Sequence, residues 1–558
     1  MAVLVRLLHV VIQRGRPVTV HLHPVIRTRR MSPTRRDALA QLSALLAMPL
    51  LQWPELIADP LAGTIAEYQA GRVRGAWTAV EVTARAIERC SQANATLRAI
   101  DLLSPTALDE ARTSDARARR RALRGALDGV PVFAKSIYDM QSLPTTASSA
   151  EWNRLFPEPV TRDAIEVARL RRAGAIVLGK TTADDFAYRG NGTSTLSGQV
   201  RNPYDPSGGR TPGGSSAGSA VAVAYAMAFA ALGTDDGGSN RIPAQFCGVV
   251  GMKPTFGLVP RTGVIPTWPY LDTHGPLART VADAALMLDA IAGPDSFDSL
   301  ALRAPWTSGR LRLLRDDALV GARLGLVDVH VPRTQMTAES LRVFDRAVTD
   351  LRAAGAIVES CAPTVTRVTY RDLFNEAALA RGDVAPNATA SAPTANALRR
   401  YFEGQGLDAR AAVERGLAAY RAFYDVLPTT MVEMAPLTVQ PYEYDASGSS
   451  FARSRESVVA QLAETFRAQR LDAMIYPTMP FSSPRASDAW PDVRTALGFG
   501  NWLGLPEVSV PSGLGADGVP VGNISFVGLP GHDARLLALG HAYEKQSRRF
   551  VAPPAIRP

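Results

Sequence analysis

The chain has 558 residues, 46% of them hydrophobic and 20% charged, which fits a globular protein with a large core and excludes a disordered polymer. Its net charge of +9 is confined to one end, because residues 1–36 hold eight arginines and no acid. The rest of the chain is close to neutral, so a nucleic-acid-binding surface is not predicted.

Lysine is rare, which makes each lysine a candidate for a special role. Only four of the 61 basic residues are lysines, namely Lys135, Lys180, Lys253 and Lys545. A buried lysine can lose its proton and act as a base, whereas arginine stays charged. The alternative is that these lysines simply survive a coding bias toward arginine, and at Lys545 the two interpretations are equally good.

The cysteines and histidines do not indicate a metal site. Cys90, Cys247 and Cys361 are far apart in apolar surroundings, which favours buried free thiols over a disulfide framework. The four histidines beyond residue 52 do not cluster at metal-ligand spacing.

The N-terminal residues 1–52 are interpreted as a leader. An arginine pair at 35–36 precedes an apolar run at 42–51, an arrangement typical of a twin-arginine export signal. This predicts a periplasmic or exported protein with the signal at 31–52, and makes residues 1–30 a doubtful upstream extension. The run is too short to span a membrane, so no stable membrane anchor is expected. The alternative is an ordinary amphipathic helix in a cytoplasmic protein.

The first half of the body alternates helical patterns with short apolar runs. Residues 60–127 have apolar residues at helical spacing, and residues 163–173 predict another helix. Residues 129–135 predict a buried strand that ends at a lysine, and residues 175–178 a second strand. Residues 220–232 are apolar all round, which predicts a fully buried helix.

The second half continues this alternation. Residues 281–291 predict a helix, and residues 300–470 are mostly helical. Short strands are predicted at 324–327, near Ile357, and at 473–476, 508–510 and 524–527. The pattern predicts an α/β fold with one large sheet covered by helices on both faces. Without a separating linker, residues 53–558 are predicted to form a single catalytic domain.

Two glycine-rich turns that carry serine flank the apolar stretch 220–232. They are residues 213–219 and 233–241, and glycine allows the sharp bends and close approaches that such turns need. Two common motifs nearby are rejected. Residues 174–181 fit a P-loop expression, but their middle residues form the strand itself. Residues 214–218 fit a nucleophile elbow, but they follow a loop instead of a strand.

The serines of these two turns and a buried lysine together form a set that can carry out nucleophilic catalysis. A serine hydroxyl is a weak nucleophile and needs a base, and a desolvated lysine at a strand end can supply one. A second hydroxyl can relay the proton. The glycine pair before Ser239 leaves backbone N–H groups for a developing oxyanion, and such donors are worth about 3 kcal/mol. The residues predict a lysine–serine–serine hydrolase that needs no histidine.

The ordered motifs resemble those of the amidase signature family over roughly residues 60–545. The matching segments are Gly129–Lys135, Ala173–Thr181, Arg201–Pro203, Gly213–Ser219, Gly233–Ala244, Gly251–Gly257, Asp272–Arg279 and Gly504–Pro506. The resemblance implies an amidase-signature fold with one large mixed β-sheet.

The resemblance implies catalytic roles for three residues. Ser239 is the implied nucleophile and Lys135 the implied general base. Ser215 is the implied bridging serine, which in the family follows a cis peptide bond, here Gly214–Ser215.

The resemblance also implies how the loop around the nucleophile works. Asp235 and Arg241 brace it as an ion pair. The oxyanion hole is formed by backbone N–H groups of Asp236, Gly237, Gly238 and Ser239. Lys180 and Lys253 are interpreted as structural lysines near the site.

Three residues depart from the family pattern. Ala217 stands where glycine is common, and Ser136 replaces an acid that often follows the catalytic lysine. Asp236 stands where the family has a small, neutral or apolar residue, and a carboxylate there opposes negative charge if it faces the pocket.

The resemblance implies hydrolysis of a carboxylic amide C–N bond outside peptide chains, through an acyl-enzyme, with a small-molecule amide as substrate and without metal or organic cofactor. The sequence leaves open whether the protein forms a homodimer. Alternatives are an ester, carbamate or oligoamide hydrolase, the A subunit of a glutamyl-tRNA amidotransferase, and a non-catalytic binding protein on the same fold.

Substrate contacts are expected outside the matched motifs, in residues 186–192, residues 267–270 and a helical insert around 370–444. Tyr188, Trp268 and Tyr270 suggest an aromatic or apolar acyl pocket. The alternative is that these rings pack in the core.

Overall fold

The structure is a computed structural model that describes residues 58–268, 270–298, 300–301, 309–365, 392–425 and 450–554. The leader prediction for residues 1–52 lies outside the described residues, as does part of the insert around 370–444.

The described residues form thirteen strands. They are β1 (Ile100–Leu103), β2 (Pro131–Lys135), β3 (Ile176–Thr181), β4 (Thr193–Ser194), β5 (Gly198–Gln199), β6 (Ala230–Thr234), β7 (Val250–Lys253), β8 (His274–Ala278), β9 (Arg323–Leu326), β10 (Ile357–Ser360), β11 (Ala473–Pro477), β12 (Glu507–Leu514) and β13 (Pro520–Val527).

Fourteen α-helices occur in the same part of the chain. They are α1 (Ile65–Val73), α2 (Ala79–Leu97), α3 (Ala107–Arg119), α4 (Ala150–Leu155), α5 (Ile165–Arg172), α6 (Ala217–Ala224), α7 (Arg241–Phe246), α8 (Val281–Ile291), α9 (Ala338–Ala353), α10 (Ala392–Gln405), α11 (Ala409–Asp425), α12 (Ser450–Gln469), α13 (Leu497–Leu503) and α14 (Asp533–Ser547). None of the described helices combines the length and the apolar character that crossing a bilayer requires.

Eleven strands form one sheet in the order β1-β3-β2-β6-β8-β7-β12-β13-β11-β9-β10, and β4 pairs with β5 separately. Strands β3, β2 and β6 run parallel, as do β11, β9 and β10, whereas the strands between them pair antiparallel. The α/β prediction of one large mixed sheet with helical layers is confirmed.

Local sequence signals fix several helix starts. Thr78 and Glu81 form a capping box, in which each side chain accepts from the backbone N–H of the other at the start of α2. Thr64 and Glu67 repeat the arrangement at α1. These caps orient α1 and α2, whose buried residues join the main core beside β2 and β6.

Two expectations about secondary structure are wrong. The apolar stretch 220–232 is not one helix: α6 ends at Ala224, Ala226 turns with φ +52°, and the chain continues as β6. Both elements are buried all round, so apolar content without periodicity does not separate helix from strand. Strand β1 also interrupts the stretch 60–127, which was expected to be helical, and forms one edge of the sheet.

The sheet topology brings the candidate site together. Strands β2 and β6 are adjacent and parallel, with Val132 opposite Ala230 and Phe133 opposite Ala231. Their carboxyl ends therefore lie at the same edge, where open α/β sheets commonly bind ligands. Lys135 is the last residue of β2 and Thr234 the last of β6.

Candidate active site

Lys135 lies at the centre of the site and is fully buried. Its Nζ donates hydrogen bonds to Ser215 Oγ and Thr234 Oγ1, both at 2.8 Å. Burial lowers the pKa of Lys135 to about 8, although nearby carboxyls, Asp236 first among them, oppose the shift. The amine is thus neutral in a sizeable fraction of molecules just above neutral pH, as a general base must be.

Ser215 follows a cis peptide bond, Gly214–Ser215, and is fully buried. The position before it requires glycine, because a Cβ on Gly214 would overlap the Asp184 carboxylate and lie 2.9 Å from the Gly192 nitrogen. Asp184 also donates its backbone N–H to Ser215 O at 3.3 Å. The turn that presents the Ser215 hydroxyl to the lysine is therefore enclosed by neighbouring backbone.

Ser216 joins the two serine turns. Its backbone N–H donates to Ser239 O at 3.1 Å, and its Oγ receives the N–H of Thr234 at 3.2 Å and lies 3.1 Å from Asn240 Oδ1. These contacts place Ser239 on the loop next to Ser215, with 8% of the Ser239 residue exposed to solvent. Ser239 thus keeps a small exposed fraction, whereas Ser215 is fully buried.

Asp235 organises the loop that carries Ser239. Its Oδ1 accepts from Gly238 N at 2.8 Å, and its Oδ2 accepts from Asn240 N at 3.1 Å and Arg241 N at 3.4 Å. The expectation for Gly238 therefore needs correction, because its N–H donates to Asp235 and is not free for an oxyanion. Gly238 supports the loop, with φ +115°.

Three other backbone donors of this loop remain available. The N–H groups of Asp236, Gly237 and Ser239 donate to no acceptor among the described residues. Gly237 is exposed, and a Cβ there would meet nothing within 4 Å. Gly237 thus lies on the accessible side of the loop that carries Ser239.

Arg241 holds the same loop through hydrogen bonds to side chains on three different segments. Its guanidinium donates to both Asp235 oxygens at 2.9 Å, to Glu507 Oε2 at 2.6 Å and to Asn501 Oδ1 at 2.6 Å. Burial opposes ionisation of Asp235, but the Arg241 charge outweighs it and holds the Asp235 pKa well below its ordinary value. The structure thus brings Asp235 and Arg241 together as a fully buried ion pair.

The two other buried lysines contact different groups. Lys180 donates to Pro144 O and Thr145 Oγ1, both at 2.8 Å, and Lys253 donates to Leu505 O. Burial lowers the pKa of Lys180 to about 7 and that of Lys253 to about 8. Their recorded bonds go to backbone carbonyls and a threonine, in keeping with structural roles.

The three predicted substrate-binding rings are not equivalent. Tyr188 and Trp268 are partly buried and face each other with ring centroids 6.3 Å apart, and Trp268 lies 6.4 Å from Trp502. Tyr270 is buried in an apolar cluster against which Trp502 also packs, and its carbonyl accepts from Arg455 at 2.5 Å. The structure places Tyr188 and Trp268 in one aromatic wall and Tyr270 in the core.

Several site residues escaped the sequence analysis. Thr234 was missed, because the stretch before it was interpreted as a helix and the strand β6 that ends at Thr234 was not predicted. Ser216 lies inside a recognised motif but carries no signal of its own. Asn501 and Glu507 contact Arg241 across 260 and 266 residues of sequence, a separation for which one sequence offers no pattern. In the described part of the chain, no cluster of histidine, cysteine and carboxylate residues could hold a metal.

The chain belongs to the amidase signature family, whose model, described as Amidase, matches residues 81–537. Membership of this family supports a hydrolase that acts on C–N bonds.

Two kinds of relative are similar to the chain. The A subunit of glutamyl-tRNA(Gln) amidotransferase from Symbiobacterium thermophilum is 34% identical over 496 residues, which cover 86% of this chain and 96% of the relative. Its counterpart from an Anaeromyxobacter species is 36% identical over 456 residues, 80% of this chain and 88% of the relative. Among solved structures, the native peptide amidase of Stenotrophomonas maltophilia matches with a TM-score of 0.72 and 31% identity, covering 91% of this chain and 100% of that one.

Proposed function

We propose that this protein hydrolyses small carboxylic amides to an acid and an amine or ammonia, through an acyl-enzyme on Ser239. One observation carries the proposal: Lys135, buried at the end of β2, donates to Ser215 Oγ at 2.8 Å, in the turn bonded to the Ser239 loop. A serine hydroxyl becomes an activated nucleophile when a base can take its proton, and a buried amine bonded to an adjacent hydroxyl can act as that base through the hydroxyl.

Acylation begins with proton transfer. Neutral Lys135 takes the proton of Ser215, which takes that of Ser239 as the Ser239 oxygen attacks the amide carbon. The two hydroxyls relay the proton, so the lysine need not touch the nucleophile. The proton returns along the same path to the leaving nitrogen, which departs as a neutral amine or as ammonia, and the acyl group stays on Ser239.

The developing oxyanion is stabilised by backbone donors. We assign this role to the N–H groups of Asp236, Gly237 and Ser239, since Gly238 donates to Asp235 instead. Fixed donors of this kind contribute about 3 kcal/mol to transition-state stabilisation. Water, activated by the same relay, then attacks the acyl-enzyme and releases the acid.

The substrate is proposed to be an amide with an aromatic or apolar acyl group. Tyr188 and Trp268 form a partly buried aromatic wall, and rings of this kind supply apolar contact area. The likeness to a peptide amidase supports a substrate that presents a free carboxamide. Esters, carbamates and oligoamides undergo the same chemistry and belong in any substrate panel.

The test is a panel of amides, anilides, peptide amides, carbamates and esters on the wild type and on Ser239→Ala. Wild-type enzyme quenched during turnover should carry the substrate's acyl mass on the peptide that contains Ser239. The Ser239→Ala variant should lose this adduct and at least 10⁴-fold in turnover, the order seen when a nucleophile is removed.

Ser219→Ala is the matched control, because Ser219 lies in the same stretch but bonds to Thr181 Oγ1 and Leu232 O. This variant should keep the adduct and the turnover. Full turnover by Ser239→Ala would refute the proposal.

A second candidate is favoured by the amidotransferase relatives at 34–36% identity. In that case the chain releases ammonia from an amide donor as one component of a larger enzyme. Including glutamine in the substrate panel distinguishes the two candidate functions. Turnover of peptide amides or anilides by the isolated chain supports the hydrolase. Activity restricted to glutamine and dependent on added partner proteins supports the amidotransferase.

A further inference from the structure

The aromatic wall, made of Tyr188 and Trp268, is built on two segments that connect to different serine turns. The Tyr188 segment contacts the turn that presents Ser215. A Cβ on Gly214 would lie 3.1 Å from the carbonyl carbon of Gly190, which is closer than ordinary packing allows. The chain that follows Tyr188 therefore packs directly against this turn.

The Trp268 segment connects to the turn that carries Ser239. The backbone N–H of Trp268 donates to Asp272 Oδ1 at 2.7 Å, and the carbonyl of the next residue, Thr273, accepts from Asp235 N at 2.8 Å. Asp235 in turn accepts from two backbone N–H groups of the Ser239 loop. Each ring of the wall is thus connected by short contacts to one of the two turns.

The backbone just before Tyr188 has an uncommon conformation. Phe186 and Ala187 have φ of +51° and +61°, in the left-handed region that residues other than glycine seldom adopt. Such a conformation costs free energy and persists only where the surrounding structure enforces it. The direction in which the chain leaves this bend toward Tyr188 therefore depends on the contacts that hold Phe186.

Tyr420, on α11, holds both segments of the wall. Its ring stacks on the ring of Phe186, with centroids 4.1 Å apart and planes at 29°. Its hydroxyl donates to Pro266 O at 2.5 Å, two residues before Trp268. Thr267 Oγ1 joins the two segments directly with a 2.8 Å hydrogen bond to Phe186 O. One side chain of the helical insert thus fixes the spacing between the two segments.

The helices that carry this side chain are anchored to the body of the protein. On α10, the hydroxyl of Tyr401 and Nε2 of Gln405 donate to the buried Asp139 carboxyl group at 2.8 and 2.6 Å. Trp152 on α4 meets the Tyr420 ring edge-on, with centroids 6.2 Å apart. Tyr420 itself is only 1% exposed, so any effect that it has on a substrate passes through the two segments that it holds.

We infer that Tyr420 is a positioning residue that makes the proposed active site selective for amides with an aromatic acyl group. The inference rests on the proposed function, because it concerns the acyl group of that substrate. Tyr420 keeps Tyr188 and Trp268 in the arrangement that forms one apolar surface. An aromatic acyl group gains contact area on this surface, whereas a short aliphatic acyl group does not reach it.

The quantity to measure is the selectivity ratio, which is kcat/KM for phenylacetamide divided by kcat/KM for propionamide. Both compounds are primary amides that release ammonia, so they differ only in the acyl group. A loss of folded protein lowers the turnover of both substrates by the same factor and leaves the ratio unchanged. A change in the ratio therefore reports on the acyl pocket and not on stability.

Two substitutions of Tyr420 should lower the selectivity ratio in steps. Tyr420→Phe keeps the stacked ring but removes the donor to Pro266 O, and the ratio should fall by about 3–10-fold, the range for one buried hydrogen bond. Tyr420→Leu also removes the stack on Phe186, and the ratio should fall by about 10–100-fold. The fall should come from a higher KM for phenylacetamide, with kcat for propionamide unchanged. If Tyr420→Leu does not fold, Tyr420→Phe decides alone.

Tyr68→Phe and Tyr68→Leu are the matched controls. Tyr68 on α1 is equally buried, stacks on Phe229 with centroids 5.0 Å apart and planes at 25°, and donates its hydroxyl to Gly129 O at 2.9 Å. Gly129 precedes β2, whose far end carries Lys135. The Tyr68 variants should therefore lose comparable stability in urea unfolding but keep the selectivity ratio of the wild type.

Binding to Ser239→Ala measures the same preference without turnover. In isothermal titration calorimetry, Ser239→Ala should bind phenylacetamide more tightly than propionamide, and adding either Tyr420 substitution should reduce this preference by the factors given above. An unchanged ratio in the Tyr420 variants, or equal affinity of Ser239→Ala for the two amides, overturns the inference. Full turnover by Ser239→Ala refutes the proposed function instead, whatever the selectivity ratio of the Tyr420 variants.

Discussion

Replacing Asp235 by asparagine tests the idea that one buried carboxylate holds the Ser239 loop. Each Asp235 oxygen accepts three hydrogen bonds: Oδ1 from Gly238 N, Arg241 Nη2 and Asn501 Nδ2, and Oδ2 from Asn240 N, Arg241 N and Arg241 Nε. Asparagine keeps one acceptor and turns the other into a donor. In either amide orientation, an NH₂ group then faces three N–H donors.

The expected loss of folding stability follows from the hydrogen bonds and the ion pair that Asp235 makes. The substitution removes one of the two carboxylates that neutralise the buried Arg241, leaving only Glu507. Breaking a buried ion pair from one side costs about 3–5 kcal/mol. Because the Asp235 pKa is depressed in the folded state, its contribution is complete above the unfolded pKa of about 3.9 and is lost as the pH falls below it. At neutral pH the whole loss should be visible.

Urea unfolding followed by tryptophan fluorescence at pH 7 measures the loss, and steady-state kinetics measure the damage to the loop. We expect turnover to fall by about 10²-fold or more, the cost of misplacing an oxyanion donor. Asp289→Asn is the control, since Asp289 pairs with Arg310 in an equally buried ion pair away from the site. It should lose stability but keep its turnover. A loss below about 1 kcal/mol in Asp235→Asn would refute the account of the loop, because so small a loss is typical of an exposed pair.

Four further outcomes are expected. Because the proposed mechanism needs neutral Lys135, whose pKa burial lowers to about 8, kcat/KM should rise with pH through about 8 in a pH–rate profile. Ser215→Ala should lower kcat by about 10²–10⁴-fold with little change in the urea midpoint, the range typical of a lost proton relay. Gly238→Ala should cost about 1–3 kcal/mol in urea titrations, because φ is +115° and a Cβ would lie 2.8 Å from Leu497 Cδ1. N-terminal sequencing of protein recovered from the periplasm should show that residues 1–52 are removed, and an intact N-terminus in the cytoplasm would contradict the export signal.

Local signals predicted the parts of the fold that lie in single segments. The run ending at Lys135 is a buried strand, and residues 281–291 are a helix, because apolar run length and periodicity are properties of the segment itself. The helix prediction for residues 220–232 was wrong because it relied on the same local signals. Full burial removes the periodicity that separates a helix from a strand.

The candidate site could be proposed from the sequence where its residues belong to a recognisable motif. Ser215, Ser239 and Lys135 stand out because serines on glycine turns and rare lysines are unusual. The supporting contacts were not predictable, because they depend on which strands become neighbours. Thr234 meets Lys135 only through the parallel pairing of β2 and β6.

Chemical modification of the four lysines can report how much of the protein is unfolded, because the lysines differ in exposure. Lys135, Lys180 and Lys253 are fully buried, and Lys545 is exposed near the end of α14. An amine-reactive reagent should therefore modify one lysine side chain in the native protein and all four after unfolding. Counting added masses after a short pulse measures the open fraction of molecules. Modification of Lys135 reports opening at the candidate active site itself.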